Sequence, residues 1–122
     1  MLVCYCRYMS LKGLVWVGAS KKEFLDFPDG IKDDMGYQLY RLQNGEEPLT
    51  ARRMQSLGTG IWELKEQDAA GWYRVAYVLI EKSSVHVLHA FKKKTRKTEK
   101  LDLALITARF KSAQASLRKK DV

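Results

Sequence analysis

Three segments rich in β-branched and aromatic residues follow one another closely in the second half of the chain: 61–66, 72–80 and 85–92. The links between them, 68–71 and 81–84, are short and contain turn-forming residues. Links this short join antiparallel neighbours, because a parallel connection needs a crossover of about a dozen residues or more. The sequence therefore predicts an antiparallel sheet at the centre of the fold.

A short strand and a helix are expected near the start of the chain. The run 14–17 is apolar and rich in β-branched residues, which is typical of a buried strand. Ser20 and Glu23 have the spacing of a capping box. In that motif the Ser hydroxyl accepts from the Glu amide, and the Glu carboxylate accepts from the Ser amide. The sequence therefore predicts a helix that is capped by Ser20.

A second, longer helix is predicted immediately afterwards. Pro28 suits its first turn, where the missing N–H is no loss. Asn44 and Gly45 are the residue types that most readily take the left-handed conformation in which helices end. Between these limits one apolar stripe recurs at helical spacing: Ile31, Met35, Leu39 and Leu42.

The remaining elements complete a mixed fold. A further short strand is predicted at 52–57, and Thr98 is a candidate N-cap for a terminal helix. The apolar stripe of that helix consists of Leu103, Ile106, Phe110, Ala113 and Leu117. A strand, two helices, three or four antiparallel strands and a basic terminal helix indicate an α+β domain. We expect a leader over 1–13, one domain over 14–118 and a basic tail over 119–122.

The charge of the chain is concentrated at one end. Lys and Arg total 22 and Asp and Glu total 14, which gives a formal net charge of +8. Residues 92–122 hold 11 of the basic side chains and 3 of the acidic ones, so this segment carries the entire excess. A neutral body with one cationic end suggests a polyanionic partner met on one face, or else a solvated Lys-rich helix end.

Alternation along the strands places several polar side chains on one face of the sheet. Glu63 and Lys65 share the face of Arg74 if the strands pair as a meander. The next strand brings His89 and the lysines 92–94 near that surface. An acid, an imidazole, a guanidinium and a Lys cluster predict a candidate catalytic site. Taken singly, Glu63 and Lys65 also fit an exposed cross-strand pair, and His89 fits a solvated or hydrogen-bonded residue on an edge face.

Other chemistries find little support in the sequence. There is no Walker-type glycine loop, no G-x-S-x-G elbow and no H-E-x-x-H motif. Cys4 and Cys6 form a C-x-C without a second Cys pair or a His pair to complete a zinc site. No apolar run reaches the roughly 18 to 20 residues of a membrane span, and no secretory signal is recognisable. We expect a cytoplasmic protein without metal, cofactor or membrane contact.

Several segments, in this order, resemble one known family. The motifs are LGTGIWEL at 57–64, WYRVAY at 72–77 and LHAFKKKT at 88–95, and the stretches 15–22 and 27–39 are also similar. Together they resemble the HigB-like branch of the RelE/ParE toxin superfamily over nearly the whole domain. The resemblance implies a RelE-like fold and a toxin of a type II toxin–antitoxin system, whose partner is a helix-turn-helix antitoxin.

The resemblance also implies an activity. RelE-like toxins cleave messenger RNA, usually on the ribosome, which implies an endoribonuclease that inhibits translation. The implied mechanism is metal-free: a base activates the 2′-hydroxyl for attack on the adjacent phosphate. The implied catalytic residues are Glu63, Lys65, Arg74, His89 and Lys93, with Glu63 or His89 as the titrating group. The implied RNA-binding residues are Lys92, Lys94, Arg96 and Lys97.

Two other functions remain open at this point. The same fold serves ParE-like toxins, which inhibit gyrase and cut no RNA. A nucleic-acid-binding module that uses the basic end without catalysis is the other alternative. The cluster of Arg, Lys and His favours the nuclease over the gyrase inhibitor.

Overall fold

The structure is a computed structural model that describes residues 12–54, 57, 60–80, 84–93 and 100–120, with side chains of the last helix described as far as Ser116. The strands are β1 (Gly13–Trp16), β2 (Arg52–Arg53), β3 (Ile61–Asp68), β4 (Gly71–Ile80) and β5 (Ser84–Lys93). The helices are α1 (Ser20–Leu25), α2 (Asp29–Gln43) and α3 (Lys100–Lys120). None of the described helices is long and apolar enough to cross a membrane.

The five strands form one sheet in the order β1-β5-β4-β3-β2. β3, β4 and β5 make the predicted antiparallel meander, and β2 pairs antiparallel with β3. β1 pairs in parallel with β5, so the chain crosses one face through α1 and α2 before it enters the other edge of the sheet. The predicted α+β class is confirmed.

Each face of the sheet packs against helices. On one face, α1 and α2 cover an apolar layer formed by Phe24, Phe27, Ile31, Met35, Leu39, Leu42, Leu64, Tyr73, Val75, Tyr77, Val85, Val87 and Ala90. On the other face, α3 covers a smaller layer formed by Met54, Ile61, Ala76, Val78, Leu88, Phe91 and Ile106. The predicted stripe of α2 is entirely buried. Of the predicted α3 stripe, Leu103, Ile106 and Phe110 pack in the layer against the sheet, and Ala113 is also buried.

The ends of α2 follow its sequence. Pro28 is the N-cap, one position before the first turn in which it was expected. Asn44 keeps a right-handed backbone, and Gly45, at φ +80°, takes the left-handed conformation that ends the helix. The expected N-cap of the terminal helix, Thr98, lies outside the described residues.

The predicted capping box is wrong. The N-cap of α1 is Ala19, which makes no side-chain cap hydrogen bond, and Ser20 is already helical. The Ser20 hydroxyl donates to Val87 O at 3.0 Å, and the Glu23 amide donates to Ala19 O. Both side chains form hydrogen bonds with backbone groups of β5 instead, because these long-range bonds outweigh the local capping bonds.

Two predicted strands differ from the structure. β1 is an edge strand and half exposed, with Val15 41% exposed, so the expected burial of this run is wrong. Of the predicted strand 52–57, β2 comprises Arg52–Arg53. The Met54 amide still donates to Ile61 O, but Leu57 then turns back towards Met54.

Side chains satisfy backbone groups on the outer edge of β5. β1 pairs with β5 only as far as Val87, and in the described part of the chain no strand continues along that edge. Arg109 Nη1 donates to Leu88 O at 3.0 Å, and the Ala90 amide donates to Glu23 Oε1 at 3.2 Å. Since Glu23 lies in α1 and Arg109 in α3, their hydrogen bonds to this part of the β5 edge hold both helices in place.

The burial of the α2 stripe can be tested with matched leucines. Leu39, 3% exposed, lies on the buried face of α2, and Leu101, 77% exposed, lies on the outer side of α3. We expect Leu39→Ala to lower the free energy of unfolding by about 2–5 kcal/mol through lost burial and a cavity. Leu101→Ala should change it by less than about 0.5 kcal/mol. Urea unfolding measures both, and equal losses would contradict this packing.

Candidate functional site

Three rows of side chains cross one face of the sheet next to the layer that α3 covers. The register of β3, β4 and β5 aligns Gln67 with Trp72 and Lys93, Lys65 with Arg74 and Phe91, and Glu63 with Ala76 and His89. Neighbouring rows are about 7 Å apart, because each is two residues further along the strands. The structure therefore brings Glu63, Lys65, Arg74 and Lys93 to one surface.

A β-bulge in β5 sets this alignment. Tyr77 is opposite Val87, but Ala76 is opposite His89, so Leu88 is an extra residue in the ladder. Beyond the bulge, Phe91 and Lys93 face the same side as Arg74.

Arg74 is a buried cation with unused hydrogen-bond donors. It is 6% exposed, and its Nε lies 3.7 Å from Glu63 Oε1, beyond hydrogen-bond distance. Among the described residues, Arg74 Nε, Arg74 Nη1 and Glu63 Oε2 have no hydrogen-bond partner. Burial lowers the pKa of Arg74; the charge of Glu63 opposes this and that of Arg52 adds to it. The guanidinium remains a cation, and its unused N–H groups can donate hydrogen bonds to an anion.

Lys93 completes a cluster of positive charge around Arg74. Its side chain is 5% exposed. Burial is the main cause that lowers the pKa of Lys93, and the charges of Arg74 and Lys65 act in the same direction. Glu63 and Asp102 oppose this shift. Lys93 therefore gives up a proton more readily than an exposed lysine does.

An open cleft of about 610 Å³ lies beside these groups. We call it the cationic cleft; it is lined by Thr50, Arg52, Lys65, Glu66, Gln67, Trp72 and Arg74. Arg52 and Trp72 were missing from the predicted site. Strand alternation places Trp72 on the face of Arg74, two residues further along β4, but Arg52 could be found only from its register opposite Glu63.

His89 lies to one side of the cleft, between two helices. It is 4% exposed and stacks on Phe91, with ring centroids 4.7 Å apart. Its Nδ1 lies 2.9 Å from Glu23 Oε1, and its Nε2 lies 2.8 Å from Asp102 Oδ1. Carboxylates only accept, so each contact is a hydrogen bond when that nitrogen carries a proton. Both ring nitrogens are thus engaged by α1 and α3.

Glu23 joins these parts through its carboxylate. Arg109 donates to both of its oxygens, from Nη1 at 2.8 Å and from Nη2 at 3.0 Å. Burial alone would raise the pKa of Glu23, but the hydrogen bonds from Arg109, His89 and the Ala90 amide outweigh it, so the pKa is lowered.

The remaining predicted residues lie elsewhere. Lys92 is on the opposite face from Lys93, with its Nζ 5.7 Å from the centre of the Tyr73 ring. Lys94, Arg96 and Lys97 lie outside the described residues. In the part of the chain that the structure describes, no group of His, Cys, Asp and Glu side chains is arranged to hold a metal ion.

The role of Glu23 makes stability depend on pH. Its pKa is below the usual 4.5, so its contribution is complete above about pH 4.5 and is lost as the pH falls through the lowered value. We expect Glu23→Gln to lower the free energy of unfolding at pH 7 by about 1–3 kcal/mol, and the difference from wild type to shrink in acid. The control is Glu46→Gln, which removes an exposed pair with Arg41. A difference that stays constant from pH 7 to pH 3 would contradict the assignment.

Comparison with known proteins identifies the family. The model of the family described as phage derived protein Gp49-like (DUF891) matches residues 22–111, which contain the whole cationic cleft. A search of curated proteins gave no significant match. The Gp49-like family belongs to the RelE/HigB-like toxin superfamily, whose toxins act in toxin–antitoxin systems and have an antitoxin partner. Because the match covers well over half of its length, the chain belongs to the Gp49-like family.

Proposed function

We propose that this protein is a ribosome-associated endoribonuclease that cleaves messenger RNA in the cationic cleft and so inhibits translation. The observation that carries the proposal is Arg74, whose buried guanidinium has unpaired donors beside Lys65, Lys93 and Arg52. Unpaired buried donors are costly unless a ligand uses them. A phosphodiester offers two oxygens in the geometry that a guanidinium recognises.

The cluster suits the charge that develops during RNA cleavage. Attack by the 2′-oxygen on phosphorus increases the negative charge on the phosphate oxygens. Arg74 and Lys65 lie in the same cross-strand row, where they can stabilise that charge without rearrangement. Because Arg74 and Lys93 are largely removed from water, their interaction with the phosphate is stronger than it would be on an exposed surface.

The proton transfers are assigned to Glu63 and Lys93. Glu63 Oε2 has no hydrogen-bond partner among the described residues, so it can accept the 2′-hydroxyl proton as the oxygen attacks phosphorus. The bond between phosphorus and the 5′-oxygen then breaks, and Lys93 donates a proton to that oxygen. The lowered pKa of Lys93 favours this donation. The products are a 2′,3′-cyclic phosphate and a 5′-hydroxyl.

His89 contributes through its neighbour. Its Nε2 holds Asp102, and the charge of Asp102 also acts on Lys93. Since both ring nitrogens are engaged, this arrangement supports Glu63 over His89 as the base. His89 is then a positioning residue for the acid.

The antitoxin partner is proposed to be a helix-turn-helix protein, on the resemblance of the chain to the HigB-like branch. The HigB-like assignment itself is part of this proposal. A ParE-like gyrase inhibitor or a binding module without catalysis would not need a carboxylate beside a buried guanidinium.

The function is tested by mapping message ends after translating ribosomes are incubated with the protein. We expect a cleavage ladder from the wild type and a rate about 10² to 10³ lower for Arg74→Ala. Arg74→Lys should recover part of the loss, because an ammonium lacks the bidentate fork. The matched control is Arg53→Ala: Arg53 lies on the opposite face, over the Trp62 ring. Gyrase-dependent DNA breaks, or RNA binding without new ends, would overturn the nuclease.

Two adjacent lysines test which face of the sheet carries the chemistry. Lys93 faces Arg74, whereas Lys92 faces the other side of the sheet. At saturating RNA, Lys93→Ala should slow single-turnover cleavage at least about 10²-fold. Lys92→Ala should leave both that rate and RNA association near wild type, because its ammonium lies on the face opposite the cationic cleft. Equal effects of the two variants on the cleavage rate would refute the assignment of Lys93.

A further inference from the structure

The row beyond Arg74 contains an aromatic side chain that the proposed chemistry does not use. Trp72 is aligned with Gln67 on one side and with Lys93 on the other, and it lines the cationic cleft. It is only partly buried, although a tryptophan is among the residues that gain most from full burial. An indole at the wall of an open, charged cleft is available for stacking.

The distance from this indole to the cation cluster fits one nucleotide. The row of Trp72 is about 7 Å from the row of Arg74, since the two residues are separated by two strand positions. A nucleotide whose phosphate contacts Arg74 can therefore extend its base over Trp72. Bases stack on aromatic side chains in this way when they are unpaired.

The polar wall of the cleft is held in place from inside the protein. Gln38, which is 1% exposed, donates through its Nε2 to Thr50 Oγ1 and to Glu66 Oε2. Its Oε1 accepts from the Thr50 amide, and Thr50 Oγ1 also accepts from the Lys65 amide. Thr50 and Glu66 line the cleft, so this network fixes the wall without a ligand. A preorganised wall reduces the entropy lost when a ligand is ordered.

We infer that Trp72 forms a nucleobase subsite, in which an unpaired RNA base next to the cleaved phosphate stacks on the indole. The inference rests on the proposed function for the identity of the ligand. Gln67, beside the indole, offers both a donor and an acceptor to the edge of the stacked base. Stacking accepts any base, so the subsite selects single-stranded RNA over duplex.

The test measures binding of a short single-stranded RNA that cannot be cut. The probe is a hexaribonucleotide whose third nucleotide lacks its 2′-hydroxyl, used intact and with the base removed from either the third or the fourth nucleotide, the two that flank the protected phosphate. We expect Trp72→Leu to weaken binding of the intact probe by about 5- to 100-fold. Wild type should bind one of the two abasic probes more weakly than the intact probe by a similar factor. Trp72→Leu should not weaken the binding of that abasic probe any further. Trp72→Phe should retain most of the affinity.

Controls separate this inference from the proposed function. Trp62→Leu changes a tryptophan on the opposite face of the neighbouring strand, and thermal unfolding shows whether each variant is folded. If wild type binds intact and abasic probes equally, or binds neither, the subsite is refuted even if ribosomal cleavage is observed. If removing the base weakens binding to wild type but not to Trp72→Leu, and no message is cut, the subsite stands and the nuclease assignment fails.

Discussion

The early end of β1 is the constraint on which the rest of the structure depends. Among the described residues no strand covers the outer edge of β5 beyond Val87, and exposed backbone groups there would invite pairing with other chains. Glu23 and Arg109 bond to this edge and to each other. One carboxylate thus links α1, α3 and β5, which explains why its removal should affect the whole fold rather than one helix.

This attachment also decides how much of the sheet α3 can cover. Anchored at β5, the helix buries an apolar layer around Ile106 and leaves the rows of Arg74 and Trp72 beside it. One face of a sheet is thereby divided into a dry part, which stabilises the protein, and a charged part, which does not. Burying Arg74 with unused donors costs stability, a cost that is common where a site is prepared for its ligand.

Periodic features of the chain were predictable from sequence, and features decided by distant partners were not. The short links predicted the meander, and strand alternation then predicted the shared face of Glu63, Lys65 and Arg74, because neither argument needs tertiary information. Ser20 and Glu23 matched a capping motif, yet their side chains bond β5, more than 60 residues away. Arg52 joined the cleft through a register that no local pattern specifies. The contacts of His89 with Glu23 and Asp102, on two different helices, could not be predicted from a local pattern either.

The bulge at Leu88 has a consequence for which lysine serves the site. With uninterrupted pairing from Tyr77 and Val87, position 92 would stand opposite Trp72, and position 93 would point towards α1 and α2. The extra residue shifts the phase of everything after it by one. Two chemically identical neighbours are thus assigned to opposite faces by an insertion several residues upstream. In this strand the count of residues, and not the identity of the side chain, determines where the ammonium group acts.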